Sequence, residues 1–179
     1  MSRISPIDPA QASGTLKSTL TKIEGAFGTV PNMFAVVANS PAALQSMWGS
    51  FGAFSTGSLG AGLSEQIAVA VADRNRCRYC LAAHTVLGTN AGVSEQDLAT
   101  AQRAHSDDPK VDALLQFAHA VVEHRGEVDA SAIATLREHG WSDEQIVETI
   151  AQIALSLFTN YINIALDVDV DFPEVAFQS

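Results

Sequence analysis

Apolar residues recur along this chain at intervals of three and four positions, the spacing that places them on one face of a helix. The pattern is most extended over residues 142–166, where a single apolar face is predicted. That face consists of Ile146, Ile150, Ile153, Ala154, Leu157 and Tyr161. No stretch shows convincing alternation of apolar and polar residues. The sequence therefore predicts an all-α fold, which we interpret as a single domain over residues 1–179.

Glycine, proline and serine residues mark where the predicted helices begin and end. Helices are predicted at Leu16–Phe27, Asn32–Ala38, Pro41–Ser55, Glu65–Ala72, Cys77–Leu87, Ser106–Arg125, Ala130–Glu138 and Ser142–Leu166. The glycine-rich stretch Gly57–Gly62 is predicted as a loop, and Gly88 as a C-cap. A phrase of glycine, apolar residue, serine and acid recurs three times, which predicts Ser64, Ser94 and Ser142 as N-caps.

Composition and charge narrow the class of protein. The chain has 179 residues, of which 47% are hydrophobic and only 17% charged, and this favours further burial of surface in a homo-oligomer. A net charge of −10 argues against nucleic acid or an anionic membrane as a partner. Residues 1–20 contain no apolar stretch typical of a signal peptide, and no run reaches membrane-spanning length. We therefore expect a cytoplasmic protein.

The two cysteines of the chain, Cys77 and Cys80, form a CxxC motif that is followed by His84. Cysteines this close cannot join distant segments, so redox or metal chemistry is favoured over a structural disulfide framework. The pair opens a predicted helix, where free N–H groups and the helix dipole favour a thiolate. Arg76 and Arg78 add positive charge nearby. Positions 77, 80 and 84 share one stripe of the helix.

Two other interpretations of the cysteine pair stay open. Both thiols could be buried and inert, as free cysteines often are. A structural zinc site would need further ligands, and the other histidines lack a suitable spacing. Those histidines are His105, His119, His124 and His139. The sequence contains no dinucleotide-binding or phosphate-binding glycine motif, so no organic cofactor is expected.

A glutamate upstream of the CxxC motif is a candidate proton acceptor. If the helices on either side of residues 73–76 form an antiparallel hairpin, Glu65 comes within about one turn of His84. A carboxylate, an imidazole and the Cys80 thiol in a row could relay a proton, with Glu65 as general base. The competing interpretation is that Glu65 only complements the dipole at a helix start, as Glu95 does.

These positions resemble a known family signature. Glu65, Cys77, Cys80 and His84 are similar to the E-x11-C-x2-C-x3-H pattern of alkyl hydroperoxidase D-like proteins, which belong to the carboxymuconolactone decarboxylase superfamily. The resemblance is carried by the core region 41–101. It implies a helical fold with a central antiparallel hairpin carrying the CxxC motif, assembly as trimers or hexamers, and thiol-dependent reduction of peroxides.

The resemblance also implies a role for each residue. Cys80 would be the thiolate that attacks the peroxide, Cys77 the resolving thiol, and Glu65 and His84 the proton relay. Where the well-studied hydroperoxidase has a further histidine, this chain has Tyr79, which can donate a hydrogen bond but does not titrate near neutral pH. In this respect the chain resembles the peroxidase-related branch of the family.

The sequence thus favours a thiol peroxidase that acts on a hydroperoxide and is recycled by an external dithiol. We expect that dithiol to reach Cys77 at the mouth of its helix. Two alternatives from other classes are kept. One is a non-enzymatic redox sensor, in which disulfide formation changes oligomeric contacts. The other is a helical protein that binds a small ligand or a metal ion through Cys77, Cys80 and His84.

Overall fold

The computed structural model describes residues 2–178, and the secondary structure within them is entirely helical. In chain order the helices are α1 Gly14–Phe27, α2 Asn32–Val37, α3 Pro41–Phe54, α4 Ala61–Arg74, α5 Arg78–Asn90, α6 Glu95–Ala101, α7 Pro109–Glu123, α8 Ala130–Glu138 and α9 Asp143–Ala165. The prediction of an all-α fold is confirmed.

Polar caps set several of the helix starts. Ser94 and Ser142 are N-caps as predicted, and Ser142 forms a complete capping box with Gln145. α7 is shorter than the predicted segment 106–125. Asp108 accepts a hydrogen bond from the backbone N–H of Lys110 at 2.8 Å, so it caps a helix whose first residue is a proline.

α4 lies at the centre of the protein and packs against α5, α6, α7 and α9. Every residue from Ile67 to Asp73 is buried. A helix that is enclosed on all sides must be apolar all round, and this stretch consists of alanine, valine and isoleucine up to Asp73. The arrangement places α5, which follows Cys77, directly against the helix that carries Glu65.

The start of α4 differs from the prediction. The helix begins at Ala61 with Gly60 as its N-cap, so Ser64 lies inside the helix. Gly60 has φ of +76°, which only glycine adopts at little cost. Ser64 Oγ instead accepts a hydrogen bond from Gln152 Nε2 of α9 at 3.0 Å. Glu65 therefore lies beyond the first turn, where it does not complement the helix N-terminus.

Gly88 is an interior residue of α5 and not its C-cap, because the helix continues to Asn90. The reason is close packing between three helices. A Cβ atom at position 88 would lie 2.6 Å from a methyl group of Leu98 and 3.4 Å from Glu65 Cβ. The glycine that ends this region is Gly92, with φ of +87°.

Only part of the apolar face predicted for α9 is buried. Ile146 and Ile153 belong to the core, whereas Ile150 and Tyr161 are 43% and 61% exposed. The buried side of the helix also contains several polar residues. These are Thr149, Ser156, Thr159, Asn160 and Asn163. Apolar spacing alone assigns such residues to the solvent face, which is why the prediction of this face was wrong.

The segment that follows α9, residues 168–178, has no regular structure. It packs against the helices beside the CxxC motif, where Phe172 contacts Tyr79. The backbone N–H of Asn32, at the start of α2, donates to Asp171 Oδ2 at 2.8 Å. The backbone N–H of Gln178 donates to Asp73 Oδ2 at 2.9 Å, near the end of α4. The segment is thereby tied to the start of α2 and to the last turn of α4.

α9 carries an apolar stripe on its outer side. It is formed by Val147, Ile150, Ala154, Tyr161 and Ile164, which share one face of the helix. Val147 is 67% exposed. Neither α9 nor any other helix in residues 2–178 is long and apolar enough to cross a membrane. We propose that a second copy of the chain covers this outer stripe.

We expect the protein to be a homo-oligomer whose interface includes the outer stripe. Light scattering at micromolar concentration should give a mass above the 18.9 kDa of one chain. Val147→Glu and Tyr161→Glu should shift the mass towards that of the monomer, because each buries a charge at an apolar contact. Ala134→Glu, at an exposed position of α8, is the matched control and should leave the mass unchanged. A wild-type mass of 18.9 kDa would contradict the proposal.

Candidate active site

The two cysteines lie at the start of α5, and both are reduced and buried. Cys77 is the N-cap residue, and its Sγ atom accepts a hydrogen bond from the backbone N–H of Cys80 at 3.3 Å. Cys80 follows in the first turn, where the positive end of the helix dipole favours a negative charge on sulfur. The thiols are within hydrogen-bonding distance of each other. The short loop between them therefore permits direct reaction of one sulfur with the other.

Cys80 is the more acidic of the two thiols. Burial by itself would raise its pKa, but a hydrogen bond from the Cys77 thiol, the positive charge of His84 and the side-chain amides of Asn163 and Asn160 outweigh it. Together they lower the pKa of Cys80 to about 7. At neutral pH a larger fraction of the Cys80 side chains is therefore thiolate than for an ordinary thiol with a pKa near 9.

The sequence predicted that Arg76 and Arg78 would lower the thiol pKa. The structure assigns the largest contributions to other groups, since the nearby positive charge is that of His84. The guanidinium of Arg76 instead lies 4.4 Å from the centre of the Phe177 ring. Both arginine side chains are exposed, where water weakens their effect on a buried sulfur.

The sequence led us to expect that Cys77 is accessible at the mouth of its helix. In the structure it is not. Only 1% of its surface is exposed, because its side chain turns back over the first turn to cap the helix. The hydrogen bond to Cys80, burial and the negative charge of Cys80 all raise the pKa of the Cys77 thiol. Cys77 therefore stays protonated and acts as a hydrogen-bond donor to Cys80.

Glu65 and His84 form a close pair across the contact between α4 and α5. The Nδ1 atom of His84 lies 2.7 Å from Glu65 Oε2, and the two side chains are 12% and 20% exposed. Because Glu65 lies beyond the first turn of α4, the helix-dipole interpretation of this residue is wrong. The predicted proximity of the carboxylate and the imidazole is confirmed by this distance.

The charge of His84 is set by its two neighbours. Burial would lower its pKa, but the charge of Glu65, the hydrogen bond to Glu65 and the charge of Cys80 raise it above the usual value of histidine. A protonated His84 in turn stabilises the Cys80 thiolate. The geometry thus supports an ion pair of thiolate and imidazolium, with the glutamate holding the imidazolium in place.

Tyr79 connects the site to its surroundings through its hydroxyl group. Its hydroxyl oxygen accepts a hydrogen bond from the backbone N–H of Met33 at 3.2 Å. The hydroxyl also interacts with Asp171, and the ring packs edge-on against Phe172 with 5.7 Å between ring centres. The pKa of Tyr79 is raised mainly by burial, and further by the hydrogen bond to Asp171 and the negative charge of that residue. Tyr79 thereby ties α5 to α2 and to the C-terminal segment.

A cavity of about 360 Å³ leads to Cys80. Glu65, His84 and Asn163 supply polar groups in its lining, while most of its wall is apolar and aromatic. The aromatic lining consists of Phe27, Phe34, Trp48, Phe51, Tyr79 and Phe172. Phe34 lies at the centre of this cluster, 5.8 Å from the ring centre of Trp48. Cys77 is not among the lining residues, so a molecule in the cavity meets Cys80 first.

Several of these groups were missed by sequence reasoning. Asn160 and Asn163 lie on α9, whose polar positions were assigned to solvent. The aromatic wall comes mainly from α1, α2 and α3, far from the motif in sequence. Phe172 belongs to the C-terminal segment, where alternation of apolar residues over 168–172 was a signal for a segment packed on one side.

No group of three or more histidine, cysteine, aspartate or glutamate side chains within residues 2–178 is arranged to hold a metal ion. Cys77, Cys80 and His84 therefore do not form a ligand set in this conformation. This geometry gives no support to the metal-binding alternative.

The fold and the site together define an all-helical protein in which a CxxC thiol pair lies beside a glutamate–histidine pair. Residues 41–123 match the model of the Carboxymuconolactone decarboxylase family. No protein of curated function matches the sequence. This match agrees with the resemblance that the motif predicted, and the fold is similar to those of the solved structures described next.

Three solved structures illustrate the likeness. An uncharacterized peroxidase-related protein with an alkylhydroperoxidase AhpD core, from Ralstonia eutropha JMP134, superposes with a TM-score of 0.87 at 24% identity, over 95% of this chain and 92% of that one. A peroxidase-related protein from Silicibacter sp. TM1040 gives 0.79 at 21% identity, over 96% and 92%. The debrominase Bmp8 in complex with 2,3,4-tribromopyrrole gives 0.80 at 22% identity, over 94% and 91%. At these identities the likeness establishes the fold.

We predict that alkylation of Cys80 by iodoacetamide follows a pKa of about 7. Only the thiolate reacts, so the rate should rise about tenfold per pH unit below pH 7 and level off above it. Mass spectrometry of peptides locates the adduct. In Cys80→Ser the remaining Cys77 should react far more slowly over the same range, because its burial shields it from the reagent and by itself raises its pKa. An inflection for Cys80 near pH 9 would contradict the prediction.

Proposed function

We propose that this protein is an enzyme that reduces organic hydroperoxides with the thiols of Cys80 and Cys77. The observation that carries the proposal is the environment of Cys80. Its thiol has a pKa lowered to about 7 and lies at the end of a cavity, beside a second thiol and the pair of Glu65 and His84. A low-pKa thiolate next to a resolving thiol is the arrangement that reacts selectively with peroxides.

The reaction balances with these residues. The Cys80 thiolate attacks the outer oxygen of the hydroperoxide, the O–O bond breaks, and the alkoxide leaving group takes a proton from His84. Cys80 becomes a sulfenic acid, and Cys77 displaces water from it to form a disulfide. Glu65 holds His84 protonated for the first step, and in the second step the proton that Cys77 releases passes to the departing hydroxyl group, which leaves as water. An external dithiol then restores both cysteines by disulfide exchange.

The cavity favours an apolar substrate. Its aromatic wall and its volume of about 360 Å³ accommodate a molecule with a hydrocarbon or ring substituent. Hydrogen peroxide would leave most of this apolar surface unused. Cumene hydroperoxide, which carries an aromatic ring, is therefore the appropriate probe, and we expect it to react faster than hydrogen peroxide.

The same cavity supports a second candidate function, reductive removal of a halogen from a small aromatic ring. The fold is that of the debrominase Bmp8, and the cavity brings an aromatic wall up to Cys80. In such a reaction a carbon–halogen bond is replaced by a carbon–hydrogen bond, halide is released, and the two thiols become a disulfide. Halide release from a brominated pyrrole, in place of peroxide consumption, would identify this activity.

Replacing each of the two cysteines should block a different step of the reaction. Wild-type protein should form a Cys77–Cys80 disulfide with one equivalent of cumene hydroperoxide, which non-reducing peptide mass spectrometry detects. Cys80→Ser should abolish this first reaction. Cys77→Ser should react once and leave a sulfenic acid at Cys80 that a dimedone-type reagent traps.

Three outcomes would change this assignment. Two unmodified thiols after treatment of the wild type would rule out the peroxidase function. A trapped adduct on Cys77 in Cys80→Ser would reverse the roles of the two cysteines. Disulfide formation without turnover in excess dithiothreitol would indicate a redox sensor instead of an enzyme.

Replacing Glu65 with glutamine keeps the size of the side chain and removes its charge. We expect the rate of the peroxide step to fall roughly 100-fold, because a less readily protonated His84 stabilises the Cys80 thiolate less and supplies the proton to the alkoxide less often. Stopped-flow measurement with cumene hydroperoxide gives this rate. Glu95→Gln, at the first residue of α6, is the matched control and should change it little. Equal effects of the two substitutions would show that Glu65 has no part in proton transfer.

A further inference from the structure

Two buried asparagines of α9 face the reacting sulfur. The Nδ2 atom of Asn163 donates to Cys80 Sγ at 3.2 Å and to Met33 Sδ at 3.2 Å. A thiolate and a thioether can only accept here, so the amide nitrogen of Asn163 must point at them and its oxygen must point away. Asn160 lies one turn earlier on the same helix, is 0% exposed, and is also close to Cys80.

One amide atom of each asparagine lacks a partner. Among the described residues, Asn160 Nδ2 and Asn163 Oδ1 are the buried side-chain nitrogen and oxygen atoms that make no hydrogen bond of good geometry. An unpaired buried polar atom destabilises a protein, so its retention calls for an explanation. The two atoms are complementary, since one is a donor and the other an acceptor.

The orientation of Asn160 is fixed from outside the site. Asn75, in the turn between α4 and α5, donates from Nδ2 to Asn160 Oδ1 at 2.9 Å. This bond holds the amide oxygen of Asn160 towards the turn, which leaves Nδ2 free on the side of Cys80. The turn that presents the CxxC motif therefore also sets the direction of this amide.

We propose that Asn160 and Asn163 form an amide cradle for the sulfur of Cys80, which holds the thiolate before it reacts and the sulfenic acid afterwards. Asn163 Nδ2 donates to the thiolate, and the amide group of Asn160 lies close enough to stabilise the same charge. Once Cys80 carries an oxygen, Asn160 Nδ2 donates to that oxygen and Asn163 Oδ1 accepts its proton. The second half of this proposal rests on the proposed peroxidase function, whereas the first half concerns the resting thiolate alone.

The oxidation step leaves the cradle with matched partners. A hydroperoxide and the Cys80 thiolate give an alcohol and a sulfenic acid, with two electrons passing from sulfur to the O–O bond. The alcohol oxygen takes its proton from His84. The S–OH group so formed has one donor and an acceptor oxygen, which the two unpartnered amide atoms match. Asn160 and Asn163 would stabilise this product until Cys77 attacks it.

Other groups also act on the charge of Cys80. Cys77 and His84 lie on its own helix, Glu65 of α4 acts through His84, and Tyr79 is turned towards α2 and the C-terminal segment. The test must therefore keep these groups intact and change only the amides.

The thiolate half is tested by the pH dependence of Cys80 alkylation with iodoacetamide, which requires no peroxide. In Asn160→Leu and Asn163→Leu the inflection should move upward by about one pH unit, so that the rate at pH 6 falls about tenfold. Asn160→Ala and Asn163→Ala introduce no bulky apolar side chain that the core must accommodate. They should shift the inflection in the same direction. Asn75→Ala should also raise it, although Asn75 lies outside the cavity.

Thr149→Val is the matched control. Thr149 is fully buried on α9 and lies about 16 Å along the helix from Asn160, so its loss should leave the inflection near pH 7. Folded variants of Asn160 and Asn163 that keep the wild-type inflection would overturn the proposal. An equal shift of the inflection in Thr149→Val would also overturn the proposal, because it would show that any change in packing along α9 alters the pKa of Cys80.

The sulfenic acid half is tested in a Cys77→Ser background. After one equivalent of cumene hydroperoxide, dimedone is added at increasing delays, and the yield of adduct gives the lifetime of the sulfenic acid. Asn160→Leu should shorten this lifetime several-fold, and an unchanged lifetime would overturn this half. Failure of the peroxidase function would appear as no adduct at zero delay even with Asn160 and Asn163 intact, a result that leaves the alkylation measurement to decide the role of the amides.

Discussion

The negative charge that the site places on the buried sulfur of Cys80 is the constraint on which the surrounding structure depends. A thiolate removed from water is costly unless donors and a positive charge replace the water. Here the donors are the Cys77 thiol and the amides of α9. The positive charge is that of His84, which is itself buried and requires Glu65. Each element of the site thus compensates for the burial of another.

This dependence explains features of the fold that are unusual by themselves. The N-cap of α4 is Gly60, one turn before the residue that the capping pattern indicates. Glu65 therefore lies past the helix N-terminus, at a position opposite His84. Gly88 lacks a side chain where α5 passes Glu65 and α6. α9 turns polar residues inward and leaves apolar ones outside. A helix that must deliver amides to a sulfur cannot use its whole inner face for apolar packing.

The sequence was sufficient for the parts of the structure that local patterns determine. Helical periodicity identified the all-α fold, serine caps located the starts of α6 and α9, and the motif spacing brought Glu65 to His84. It was insufficient where tertiary contacts override a local pattern. Ser64 has the spacing of a cap but bonds to α9. Asn160 and Asn163 have the spacing of exposed residues, and nothing within α9 itself shows that a thiol lies on that side.

The position of Cys77 has a consequence for recycling. Attack by an external dithiol on Cys77 would release Cys80, whose lower pKa makes it the better leaving group. The cavity, however, reaches Cys80 and not Cys77. The turn before Cys77 is held by the C-terminal segment, through the bond of Gln178 to Asp73. Disulfide formation removes the bond that the Cys77 thiol donates and changes the sulfur that caps α5. We therefore propose that oxidation weakens the start of this helix, where an external dithiol would need access.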